Sequence, residues 1–148
     1  DAWAFERTLS AADEIRQSAS NEKALQKAAD FTQKAVDLYK GPLFPFDEEM
    51  AISLRQHLHN RFVRAVEQLG DYWQSRKAYE KAVALYEKGL KIDELVEPFY
   101  RGLMVCKHSL GNKSGAWKAY NRCRKIMAKN INTSPSAETE ALKNSLLN

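Results

Sequence analysis

The stretch LGDYWQSRKAYEKAVALYEKGLKID, residues 69–93, decides the fold. Within it Ala82, Tyr86 and Gly89 follow one another at helical spacing. Ala116, Tyr120 and Cys123 repeat that pattern 34 residues later, as Leu103 repeats Leu69. Apolar residues at such spacing form one face of a helix, and small residues at Ala82 and Ala116 let paired helices approach closely. Tyr86 and Tyr120 then fill the space between successive pairs. A fixed period of this length marks stacked helical hairpins, none of which buries its apolar face alone.

Thirty-four is the tetratricopeptide period, and it predicts hairpins over about 63–93 and 97–129. In the second, Tyr100, Leu103, Ala116 and Tyr120 fit, while Met104 stands where the repeat has glycine. Upstream, Ala2 to Gln17 reads as a helix with the stripe Phe5, Leu9, Ala12 and Ile15 or Arg16. Ser20 caps the next helix, which carries Ala24, Ala28, Phe31, Ala35 and Leu38 to a stop at Gly41. Gly41-Pro42-Leu43-Phe44-Pro45-Phe46-Asp47 breaks helix twice, and Phe44 and Phe46 either plug the end of the helical stack or form a small docking patch. A long helix from Glu48 to Gln74 should turn Leu54, Leu58, Phe62, Val66, Leu69 and Trp73 inward. Downstream, Asn130 to Pro135 ends the sixth helix, because asparagine tolerates a left-handed cap and Pro135 pushes Ser134 toward extended backbone. Ser136 caps a short last helix, with Glu138 in its first turn and Ala141, Leu142 and Leu146 as its apolar face. The expected fold is all-α, a right-handed helical-repeat, tetratricopeptide-like array of about seven helices.

Composition agrees with one globular domain over residues 1–148: 44% of residues are apolar and 28% charged. Six glycines and four prolines are too few for a turn-rich β sandwich, and no apolar run is long enough to span a bilayer. The chain begins at Asp1 without a basic-then-apolar leader, which reads as a domain excised from a longer cytoplasmic protein. Cys106 and Cys123 have no Cys or His at zinc spacing nearby, so they read as small buried apolar residues in a reducing compartment. Charge is uneven. Residues 1–75 hold 9 basic and 12 acidic side chains, residues 76–148 hold 14 and 7, and no Asp or Glu occurs from Pro98 to Ala137. An anionic partner follows as one expectation.

Catalytic chemistry has no motif to stand on. His57 and His59 are two apart on a helix and point about 200° away from each other, so they do not chelate one metal, and His108 stands alone. No phosphate loop, dinucleotide fingerprint or nucleophile elbow is present. The expectation is therefore no catalytic residue, no metal, no cofactor and no small-molecule ligand. Two surfaces remain. In a tetratricopeptide register the first helices line a concave groove, here with Arg64, Glu67, Asp71, Gln74, Arg101, Val105 and His108, a polar set suited to a peptide or a neighbouring domain. On the sixth helix Lys118, Arg122, Lys125 and Lys129 fall on one face opposite Ala116, Tyr120, Cys123 and Met127. Such a row suits a phosphate backbone without reading base sequence. The aromatic residues, Trp3, Trp73 and Trp117 among them, fall mainly on helix stripes and read as packing.

Loop, repeats and tail together resemble the bacterial transcriptional activator domain, the helical module of the antibiotic-pathway regulatory proteins and their relatives. The resemblance spans nearly the whole chain. It rests on Asp1 with Phe5-Glu6, Leu38-Tyr39-Lys40-Gly41, Leu43 and Pro45, Arg55, Leu58 and Phe62, and Ile92-Asp93-Glu94-Leu95 with Glu97. Tyr100-Arg101-Gly102-Leu103-Met104, Gly111, Ala116 and Tyr120 follow, and Pro135-Ser136-Ala137-Glu138-Thr139 closes the series. It implies an interaction or oligomerisation domain that lies beside a DNA-binding winged helix absent from this chain, with a neighbouring domain, a second copy or the transcription machinery as protein partner. The alternatives are an auxiliary nucleic-acid surface on the basic helix 113–129, or a helical scaffold in a signalling protein without a DNA-binding domain.

Overall fold

The computed structural model describes residues 2–41 and 48–148, and for 48–51 the backbone alone. Phe44 and Phe46 lie outside the described residues. Seven helices and no strand occupy the described residues: α1 (Ala2–Gln17), α2 (Glu22–Leu38), α3 (Glu48–Ser75), α4 (Tyr79–Ile92), α5 (Glu97–Ser109), α6 (Lys113–Ile131) and α7 (Ala137–Leu147). The chain divides into two compact units, Asp1–Leu69 and Gly70–Asn148, so the boundary falls within α3.

In the first unit α1 and α2 pack as a hairpin. Phe5, Leu9 and Ala12 are buried from α1, and Leu58, Phe62, Ala65, Val66 and Leu69 from α3. Three aromatic rings link these elements: Tyr39 lies 5.1 Å from Phe5 and stacks on Phe62 at 4.4 Å. Arg61 donates to Glu6 (3.0 Å) and to Asp13 (3.1 Å), tying α3 to α1. The burial of Tyr39, Leu58 and Phe62 and the pairing of Glu6 explain in physical terms several of the residues that carried the resemblance.

Four sequence expectations need correcting here. Asn21, not Ser20, caps α2, its side chain accepting from the Ala24 N–H. The buried face of α2 is Ala28, Ala29, Thr32, Ala35 and Val36, while Leu38 is exposed. Thr32 can be buried because its hydroxyl donates to the Ala28 carbonyl (2.8 Å) and accepts from Arg16 (2.9 Å), so no polar group is left unpaired. Leu54 is 42% exposed, because two steps of four residues carry it about 80° around the helix from Phe62. Trp3 is 80% exposed and packs into no core.

The second unit is a stack in which α4 packs on α5, α5 on α6, and α7 against both α5 and α6. Ala82 and Ala116 are completely buried and Tyr86 and Tyr120 almost so. The ring of Tyr86 is hemmed between Gly70 and Gly102: a Cβ at either glycine would overlap it. Its hydroxyl accepts from Gln74 Nε2 at 2.9 Å. Gly89 makes the same kind of room for Phe99. Asn132 ends α6 with left-handed backbone (φ 49, ψ 46), the conformation that asparagine tolerates best after glycine. Ser136 then caps α7 by accepting from the Thr139 N–H at 3.3 Å. The buried residues of α7 are Thr139 and Leu147; Ala141 is exposed and Leu142 and Leu146 are half-buried, so the apolar face expected there is displaced. α7 begins 40 residues after α5, against 34 between the starts of α4 and α6, so it stands outside the period and packs against α5 and α6 as an added helix.

Candidate partner surface and basic face

The candidate surface is built on α5. Glu97 opens this helix, where a carboxylate suits the positive end of the helix dipole. Its Oε1 accepts from the Ser136 N–H at 2.7 Å and from the Thr139 hydroxyl. One turn on, Arg101 Nη1 donates to Thr139 Oγ1 at 3.0 Å, and the guanidinium lies 3.7 Å from Glu97 and 3.5 Å from Glu138. Burial pushes the Glu97 carboxyl up, but the hydrogen bonds from Thr139 and Ser136 and the charge of Arg101 outweigh burial and hold it below its ordinary value. Thr139 is completely buried with its hydroxyl both donating and accepting. This polar junction fastens the start of α7 to the start of α5.

Of the residues expected to line a groove, Arg64 and Glu67 are exposed positions of α3 in the first unit. In the second unit Asp71 is exposed, though desolvation raises its carboxyl above the ordinary value, and Gln74 is half-buried against Tyr86. Arg101, Val105 and His108 fall at i, i+4 and i+7 on one face of α5. The Arg101 end of that face is taken by α7, Val105 is half-buried and His108 is exposed.

The basic residues of α6 divide. Lys118, Lys125 and Lys129 are exposed. Arg122 is engaged instead: its Nη1 donates to both carboxylate oxygens of Glu87 (3.0 and 2.9 Å), and its guanidinium lies 5.6 Å from the Tyr100 ring centroid. That bond to Glu87 raises its pKa further. Tyr120 reaches the other way, donating to Glu140 of α7 at 2.6 Å, with Lys143 Nζ 5.2 Å from its ring centroid.

Sequence reasoning passed over Glu87, Glu97, Thr139 and Glu140 as structural partners. Glu97 and the segment 135–139 were legible as features of the resemblance, but spacing alone did not pair them across 39 to 42 residues. Both cysteines are free and buried, and burial pushes their thiols to about 11 (Cys106) and about 12 (Cys123), which leaves them protonated and unreactive at neutral pH. His57 is exposed beside Glu6, at 3.2 Å. Among the described residues no group of three His, Cys, Asp or Glu side chains is arranged to hold a metal ion, and no helix is long and apolar enough to cross a membrane.

Compared with known protein families, the chain matches the family described as bacterial transcriptional activator domain over residues 1–147. No curated protein matches it.

Proposed function

This chain belongs to the bacterial transcriptional activator domain family, and from that premise we propose that it is a non-catalytic protein-interaction domain of a cytoplasmic DNA-binding regulator. DNA is read by a winged-helix domain elsewhere in the regulator. The partner, a neighbouring domain, a second copy or the transcription machinery, rests on the second unit over Asp71, Val105 and His108. The observation that supports this most is the seating of Tyr86 between Gly70 and Gly102, close packing in the two helices that carry Asp71, Val105 and His108. A rigid frame lowers the cost of ordering a docking surface on binding. Arg101 belongs to the frame rather than to the contact, because it is spent on Thr139 and Glu138.

The test is a reporter assay in the full-length regulator with Val105→Glu and His108→Glu together. Activation should fall at least tenfold while the variant keeps the parent's cooperative unfolding transition; His108 is exposed, where a substitution costs about 0.5 kcal/mol or less, and half-buried Val105 adds a modest further cost. Normal activation would remove this surface from consideration.

A further inference from the structure

The exposed side of α6 has a composition that its packing does not require. Lys118, Lys125 and Lys129 project within about 40° of one another around the helix and span about 16 Å along it. Arg124 points about 100–140° away from them and belongs to a different side. Arg122 borders the row but is neutralised by Glu87. Around the lysines Ser114 and Ala128 are exposed and Asn121 half-buried, all small or polar, and the larger apolar residues Trp117 and Ile126 lie to the two sides of the row and are half-buried. No acidic residue occurs anywhere from Pro98 to Ala137.

No large exposed apolar side chain stands in the row itself, and that distinguishes between kinds of partner. Protein interfaces concentrate aromatic residues, methionine and arginine at their centres and are depleted in lysine. Interfaces with nucleic acid are polar, wet and strongly positive, and lysines that neutralise phosphates supply their sequence-independent affinity. We propose that Lys118, Lys125 and Lys129 form a binding site for the phosphate backbone of duplex nucleic acid, engaged without base recognition. The site is separate from the partner surface on Asp71, Val105 and His108.

Counterion release makes the proposal quantitative. Three phosphate contacts give a slope of about −2.7 in log affinity against log salt, so affinity for a random-sequence duplex should fall about 40-fold between about 50 and 200 mM salt. Fluorescence anisotropy of a labelled duplex titrated with the chain measures this. Lys125→Gln should flatten the slope by about 0.9. Glu87→Gln, which releases Arg122 to the row, should steepen it by about the same amount. No duplex binding at the lower salt overturns the proposal, as does a slope that Lys125→Gln leaves unchanged. Binding of a polyglutamate peptide in place of the duplex would also overturn it, in favour of an acidic protein partner.

Discussion

Tyr86 and Tyr120 stand 34 residues apart at equivalent positions of two hairpins, yet they are seated in opposite ways. The ring of Tyr86 lies between two glycines and its hydroxyl accepts from Gln74, so its seat is made by backbone surfaces that cannot give way. At the position of Gly70 the second hairpin has Met104, completely buried, and Tyr120 turns its hydroxyl to Glu140 on α7. The first seat lies between two hairpins and is closed by shape. The second lies at the end of the series, where a single helix outside the period, α7, is held through Glu97, Arg101, Thr139 and Glu140. Close packing and polar fastening thus do the same task at successive repeats, and they fail differently. Loss of shape costs stability under every condition, whereas loss of the polar junction depends on pH and falls on one helix.

The largest effects are expected where buried shape is altered, at Met104 of the second hairpin and at Gly102 beside Tyr86. Met104→Ala should cost about 2–5 kcal/mol in urea unfolding, because a fully buried side chain leaves a cavity. Gly102→Ala should cost about 1–3 kcal/mol through overlap with Tyr86, diminished by the gain of about 1 kcal/mol in helix propensity. A neutral Gly102→Ala would mean that the ring is free to move and that the two seats differ less than the packing indicates.

Next in size is the junction itself. Thr139→Val keeps the shape but removes the hydroxyl from Glu97 and Arg101, at about 1–3 kcal/mol. Amide exchange should then quicken in α7 while the α4 amides around Tyr86 keep their protection. Uniform quickening through both helices would show that the stack unfolds as one and that α7 is not separately fastened.

Acidification probes the same junction from its charge. The Glu97 carboxyl titrates below its ordinary 4.5 in the folded chain, so its contribution is fully present above that value and is lost as pH falls through the depressed one. Protection of the α7 amides, relative to their intrinsic exchange, should accordingly fall as pH drops below 4.5 in the parent and lose that dependence in Glu97→Gln. An unaltered pH profile in Glu97→Gln would assign the acid response to other carboxylates.

The smallest contrast is between the hydroxyls. Tyr86→Phe and Tyr120→Phe should each cost about 0.5–1.5 kcal/mol, and only Tyr120→Phe should loosen α7. Equal loosening of α7 by both would dissolve the distinction.

The helices, the 34-residue period, the buried faces of α4 and α6, the left-handed turn at Asn132 and the cap at Ser136 were legible in the amino-acid order. The faces and caps depend on residues within a turn or two of one another, where backbone geometry converts spacing directly into a face or a cap, and the period is a repetition in the order itself. Which charges meet was not legible. Arg122 reads as one of four equivalent cations along α6 until Glu87, 35 residues earlier, is brought within 3.0 Å of it. Arg101 reads as groove lining until Thr139, 38 residues later, takes its hydrogen bond. The same holds for burial at the margins: α2 offers Val36 and Leu38 on different sides, and Val36 is the one its neighbours cover. Hydrogen bonds and ion pairs act over distances of a few ångströms through space, so their partners were chosen only when the helices stacked.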